Sequence, residues 1–323
     1  MRKGTKIWLI VAASLFVFGA LVFVGAMTAH GWNFMNLSTV KVSTNTYEIE
    51  EAFANISVDT DTADVVFALS EDGRSRVTCD EEKKLYYSVS VQDGTLRIDR
   101  VDERRWYDSL RIFDFHSKKI TVYLPQSEYA ALSVKGSTGN VDVPSGLKFT
   151  TVDIRMSTGK VNCSASATEL IRIKTSTGDV TVDGISAGAL DLIASTGDVK
   201  VKNVSCAGNV AIHLSTGDTT LTGVRCKNLI TEGDTGKLTM TDVIAAERFE
   251  IERETGDVRF EACDAAELDI ETDTGDVKGS LLTEKVFFVE TDTGEIEVPR
   301  TMSGGRCEIS TDTGDVKISI YNQ

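Results

Sequence analysis

Carboxylates recur in the last third of this chain at a spacing that could gather a hard cation. Asp273, Asp292 and Asp312 each stand two residues before a glycine, and Asp276, Glu295 and Asp315 each stand one residue after it. Oxygen ligands from successive copies of one short motif suit Ca²⁺, which takes about six to eight oxygens in a flexible shell. These six residues are therefore the candidate Ca²⁺ or cation face. The competing readings of the same columns are a solvated surface and a dock for a cationic partner. No other cofactor is implied.

Other constellations are weaker. Gly184-Ile-Ser-Ala-Gly188 matches a nucleophile elbow, but that motif needs a strand-turn-helix setting. The corresponding stretches one and two units later, Val204-Ser-Cys-Ala-Gly208 and Val224-Arg-Cys-Lys-Asn228, mark it as a connector. Three histidines, His30, His116 and His213, are scattered along the chain. Cys206 and Cys226 are placed to sit on adjacent turns, where a disulfide is geometrically possible and two free buried thiols are the plainer reading. Cys163 and Cys307 fall on inward positions, while Cys79 and Cys263 have no assigned place. A net charge of −15 excludes a general nucleic-acid binder, which needs a basic footprint.

The element that must position these groups is a repeat. A Thr-Gly pair recurs in register ten times, with Gly at 139, 159, 178, 197, 217, 236, 256, 275, 294 and 314. Seven and five residues before each Gly, and two after it, the residue is nearly always apolar: Val152, Ile154 and Val161 in one unit, Leu190, Leu192 and Val199 in another. Intervening positions are mostly polar. Period-two alternation on both sides of a glycine turn makes two short half-buried strands per unit. A unit of 19–20 residues cannot bury its apolar face alone, so the copies must stack. The expected fold is all-β: a β-solenoid of about ten coils over residues 131–323. The glycine is expected at positive φ, with the preceding Thr hydroxyls laddered along the corner.

Residues 31–130 read as an irregular β-rich cap. Thr62-Ala63-Asp64-Val65 stands as a worn copy of the corner, and Gln92-Asp93-Gly94 as a hairpin turn. Arg104, Arg105, Trp106, Tyr107, Phe113, Phe115 and His116 mix base and aromatic in a loop that either folds over the first coil or makes a contact. At the far end the chain runs out on Lys317–Tyr321 with no evident cap.

Residues 1–30 form the anchor. Ile7–Ala29 carries no charge, and as a helix it spans roughly 34 Å, enough for a bilayer core of about 30 Å. Arg2, Lys3 and Lys6 precede it and no Lys or Arg follows until Lys41, which predicts a single-pass cell-membrane protein with a cytoplasmic N-terminus and an extracytoplasmic repeat region. A cleaved signal peptide ending near Val24-Gly25-Ala26 is the alternative.

Charge is uneven along the repeat. Residues 231–323 hold 9 basic and 23 acidic residues, net −14 of the total −15. Four residues before the Gly, Lys135, Arg155 and Lys174 give way to Glu232, Glu252, Glu271 and Glu290. Two before it, Ser137, Ser157, Ser176, Ser195 and Ser215 give way to Asp234, Glu254, Asp273, Asp292 and Asp312.

The Ser/Asp-Thr-Gly-Asp-Val repeats, the stretch Val91-Gln-Asp-Gly-Thr-Leu-Arg-Ile98 and the strand Ile120-Thr-Val-Tyr-Leu-Pro125 resemble the bacterial putative-adhesin β-strand-repeat family over roughly residues 45–320. The resemblance implies a membrane-tethered envelope protein, and some relatives are tied to envelope-stress responses. It carries over no catalytic residues. The expected work is non-enzymatic, as an adhesin or envelope scaffold holding an envelope or surface ligand. Two alternatives stand beside it: a stress-sensor accessory that binds cationic molecules, and a polysaccharide-active enzyme. The enzyme would need acids that break the repeat, whereas these follow it.

Overall fold

The computed structural model describes residues 3–29, 31–32, 42–105 and 118–321. The aromatic part of the loop noted above, 106–117, lies outside them, as does His30. Helix α1 (Lys3–Ala29) contains a 24-residue stretch, Lys6–Ala29, whose most apolar 18 residues have a mean hydropathy of 2.7, long and apolar enough to cross a membrane. Everything described after residue 41 is strand or connector.

The chain is an all-β solenoid. Each coil runs a long strand up to the glycine and a shorter one after it, and equivalent strands of neighbouring coils pair parallel and in register: Leu132 with Val152, Val152 with Ile171, Ile171 with Leu190. In-register pairing turns each apolar position of the repeat into a buried column. The residues seven and five before the glycine and two after it are buried in all coils but one, the polar exceptions Thr219 and Thr231 included. In the remaining coil Phe287 and Val289 are half-buried and Ile296 is 48% exposed. All six cysteines carry free thiols and are buried, which places Cys79 and Cys263 in the core with the others.

The corners are glycine for two reasons. Gly197 has φ of +134°, which L-side chains rarely adopt. In addition, a Cβ at Gly197 would lie 2.3 Å from the carbonyl oxygen of Gly178, and one at Gly159 would lie 1.9 Å from that of Gly139. The coils approach so closely because each corner N–H donates to the next coil: Gly159 N to Thr177 O at 2.9 Å, Gly178 N to Thr196 O at 2.8 Å. The Thr of the Thr-Gly pair therefore serves through its backbone carbonyl. Its side chain is exposed in all ten coils, against the expected hydroxyl ladder. Hydroxyls that do reach corner carbonyls come from two residues earlier: Thr311 Oγ1 donates to Gly275 O at 3.2 Å and Thr291 Oγ1 to Gly314 O at 3.1 Å.

Coil order departs from chain order at both ends. Asn55–Asp59 pairs on one side with residues 131–135 and on the other with Thr95–Asp102. The worn coil is thus interior, and a coil built from Thr95–Asp102 and Lys118–Leu124 lies outside it. Antiparallel strands Leu85–Gln92, Ser75–Glu82 and Val42–Ile49 then close that end. At the other end Gly305–Thr313 pairs with both Glu267–Thr274 and Lys285–Thr293. The last coil in sequence is inserted one position inward, and the coil of Lys285–Thr293 and Ile296–Glu297 is terminal. This corrects the expectation that the rod ends on Lys317–Tyr321. The coil carrying Cys307, Ile309, Val316, Ile318 and Ile320 has a full inward set that is worth covering on both sides. The terminal coil has a two-residue second strand stopped at Pro299, which offers no N–H to a further neighbour.

Two measurements check this architecture. Gly197→Ala is expected to lower the unfolding free energy by about 2–4 kcal/mol, from strained φ and the backbone clash together. Gly184→Ala, also at positive φ but facing open space, is expected to cost only about 1–2 kcal/mol, and equal denaturation midpoints for the two would remove the close-approach argument. Ending the chain after Gly304 should strip the 285–293 strand of its pairing partner. Its amides are then expected to lose protection in hydrogen exchange, whereas a solenoid stacked in chain order would leave them protected.

Candidate functional site

Three outward columns flank each corner, and they do different work. One residue after the glycine, where that residue is Asp or Asn, the side chain accepts the N–H of the same position in the adjacent coil, and Lys160 and Lys237 interrupt the line. Asp179 Oδ1 takes Asp198 N at 3.2 Å, Asp198 Oδ1 takes Asp218 N at 3.2 Å, and Asp218 Oδ1 takes Lys237 N at 2.9 Å. The line continues at the far end: Asp257 Oδ1 takes Asp276 N at 3.3 Å, Asp276 Oδ1 takes Asp315 N at 2.9 Å, and Asp315 Oδ1 takes Glu295 N at 3.1 Å. Asn140 does the same for Lys160 N at 2.9 Å, and Asp64 of the worn coil does so for Asn140 N at 2.7 Å. An amide or a carboxylate serves, so the oxygen rather than the charge is what the ladder requires.

The charge of this column is met locally. Lys278 Nζ lies 2.5 Å from Asp276, and Lys317 Nζ lies 3.2 Å from Glu295 and 3.5 Å from Asp315. Lys278, and then the Asp315 N–H, hold the Asp276 carboxyl below its ordinary value. For Asp315 the Glu295 N–H acts first and Lys317 adds to it. Asp179 is lowered likewise, by Lys160 and then the Asp198 N–H.

Two residues before the glycine, Asp273, Asp312 and Asp292 form one exposed line, in that spatial order because of the inserted coil. Asp312 thus stands between the other two. Among the described residues no three His, Cys, Asp or Glu side chains stand together as a metal-binding group. The six carboxylates of the candidate cation face run as two lines on either side of the corner.

Four residues before the glycine, a third column runs through eight coils from Lys135 to Glu271 and continues into Asp59 and Asp99 at one end and Ser310 and Glu290 at the other. Lys135, Arg155, Lys174, Ile193, His213, Glu232, Glu252 and Glu271 pair in succession along the sheet. Its basic end borders an open groove lined by Lys135, Arg155, Arg172 and Lys174. Arg155 is held by Asp153 at 2.7 Å, Arg172 by Asp191 at 2.7 Å, and His213 Nδ1 lies 2.8 Å from Glu232.

A family profile, Toastrack DUF4097, covers residues 53–218 and 207–323. The chain belongs to the Toastrack DUF4097 family. Solved structures similar to this Toastrack rod include a putative adhesin from Bacteroides fragilis, 17% identical, with a TM-score of 0.41, covering 86% of this chain and 97% of that one. A putative adhesin from Parabacteroides merdae is 14% identical, with a TM-score of 0.35 and coverage of 75% and 97%. A putative lipid binding protein from Parabacteroides distasonis is 13% identical, with a TM-score of 0.28 and coverage of 73% and 94%. No curated protein matches the chain.

One residue of the Toastrack core escaped the sequence reading. Arg253 sits on an inward position three before its glycine, 1% exposed, and reaches across the neighbouring coil so that Nη2 lies 3.5 Å from Thr219 Oγ1. Gly233 makes the passage, since a Cβ there would lie 1.8 Å from Arg253 Nη1. Burial pushes the guanidinium down to about 10, against the opposing pull of Asp218 and Asp234. The residues three before each Gly include a single Arg, directly after the second of two glycines, Gly136 and Gly233, and that pattern is the signal in the sequence.

The ladder makes a pH-dependent contribution. A carboxyl lowered in the fold stabilises fully above its unfolded value of 3.8, and that contribution is lost as pH falls through the lower folded value. Asp276→Asn is expected to keep the N–H contact, as Asn140 does, and to flatten the acid limb of the stability curve below about pH 4. Asp276→Ala is expected to cost about 1 kcal/mol at neutral pH by leaving the Asp315 N–H without its acceptor. Identical acid titrations of parent and Asp276→Asn, followed by circular dichroism, would contradict this account.

Proposed function

We propose that this chain is a non-enzymatic, membrane-anchored β-solenoid that presents a repeated outer surface beyond the cytoplasmic membrane, as an adhesin or envelope scaffold. Helix α1 is the single span, its N-terminus cytoplasmic because Arg2, Lys3 and Lys6 precede it. The observation that supports the reading best is how the repeated polar residues are used. The corner carboxylates follow the repeat and are taken up by the next coil's N–H groups and by lysines, which builds a rod rather than an isolated reactive cluster. A long rod whose acidic surplus is concentrated in residues 231–323, net −14, is suited to display and contact.

The test uses a unique thiol. All six native cysteines are buried, and Met302, at 98% exposure, lies in the connector beyond the terminal coil. A membrane-impermeant maleimide added to intact cells is expected to label Met302→Cys of the full chain and to leave the parent unlabelled. Labelling only after lysis would place the rod in the cytoplasm and end the surface reading.

A further inference from the structure

We propose that the face carrying the column from Lys135 to Glu271 pairs with the same face of a second copy of this chain, with the two rods antiparallel. Over eight consecutive coils the column reads three bases, Ile193 and His213 at the centre, then three acids; it continues into Asp59 and Asp99 beyond Lys135 and into Ser310 and Glu290 beyond Glu271, so that in the antiparallel pair Asp59 would face Ser310 and Asp99 would face Glu290 of the second copy, one like-charge pair at each end of the contact. A two-fold axis lying along the strand direction between the Ile193 and His213 coils lays the column on itself in reverse. Lys174 then meets Glu232 of the second copy, Arg155 meets Glu252 and Lys135 meets Glu271, and the two-fold repeats all three contacts.

The flanking column agrees. Ser176, Ser157 and Ser137 would face Asp234, Glu254 and Asp273 of the second copy, hydroxyl donors against carboxylate acceptors. Parallel side-by-side rods would instead set base on base and acid on acid. They would also bring together the two strongly acidic ends, which the antiparallel arrangement holds apart at opposite ends of the pair. The groups are available: among the described residues Lys135, Lys174, Glu252 and Glu271 are exposed and in no ion pair of their own chain. Arg155 shares its charge with Asp153, and Asp153 would oppose Glu250 of the second copy, so the contact is selective rather than tight. Neither the location of the rod nor its ligand enters this argument.

Sedimentation velocity of the full chain in detergent micelles tests it, at about 0.15 M salt, where only close charge pairs act strongly. The parent is expected to form a reversible dimer as concentration rises. The triple variant Lys135→Glu, Arg155→Glu, Lys174→Glu should be monomeric alone, as should Glu232→Lys, Glu252→Lys, Glu271→Lys. Mixed in equal amounts, the two variants should recover a one-to-one dimer, a result that misfolding of either could not produce. A parent that stays monomeric up to about 200 μM, the weak end of protein association, overturns the proposal. So does a dimer indifferent to both reversals, which would be held by α1 or by the terminal coil, and so does a mixture that fails to pair.

Discussion

The corner contact between coils is the constraint from which the rest of the rod follows. Each corner glycine stands over the peptide carbonyl of the corner residue in the adjacent coil, Ala63 under Gly139, Gly275 under Gly314 and Gly314 under Gly294, at a distance that leaves no room for a Cβ. That approach brings the corner N–H within about 3 Å of the neighbouring Thr carbonyl, as from Gly217 to Thr235 at 2.9 Å, and so sets the strands in parallel register on both sides. Once register is set, Leu190 must lie on Val210 and Val210 on Leu229, and the interior fills with β-branched and aliphatic columns of matched height. A residue larger than glycine at the corner would push two coils apart and break hydrogen bonds along the whole edge of each.

The same stacking dictates what outward residues can be. Identical positions on successive coils fall about 4.8 Å apart, so any repeated charge becomes a line of like charges. The chain meets this in three ways. Next to the glycine the carboxylates are turned onto backbone N–H groups and matched by Lys278 and Lys317. Two residues before it, serines replace acids through the first five coils. Four before it, the sign changes between Lys174 and Glu232, so that bases repel bases only on one side of the change and acids repel acids on the other, and the eight coils from Lys135 to Glu271 are complementary to their own reverse.

Open edges are the liability of any such stack, because a terminal strand presents unpaired backbone groups. This chain places its least regular coils there. Antiparallel strands close the first end. At the other end the chain passes outward to the coil of Lys285–Thr293 and then returns to fill the gap with Gly305–Thr313. The crossover is held by Lys285 Nζ, buried against Asp264 at 2.6 Å. Phe288, 52% exposed, lies under Arg306 with the guanidinium 5.2 Å from its ring, which partly covers the more exposed of the terminal coil's two phenylalanines.

Local pattern decided what depends on period. The alternation around Leu132, Val134 and Val141 specified two strands and their inward faces, and the Thr-Gly spacing specified the coil length, because a strand's side chains alternate wherever it sits. The sign change from Lys174 to Glu232 and the apolar run of α1 were equally legible, being properties of residue type. What tertiary structure alone decided was neighbourhood. Asp312 lies between Asp273 and Asp292 because the relative burial of two whole coils, Cys307–Ile320 against Lys285–Glu297, determines which is covered twice. The corner Asp residues could be read as cation ligands from their spacing. Their use as acceptors for the next coil's N–H depends on a distance between segments 19 to 39 residues apart, which only the stacked rod sets. Arg253 needs the Gly233 gap one coil away before its burial makes sense. Sequence period places a residue on a face, and only the packing of one coil on another determines what that face meets.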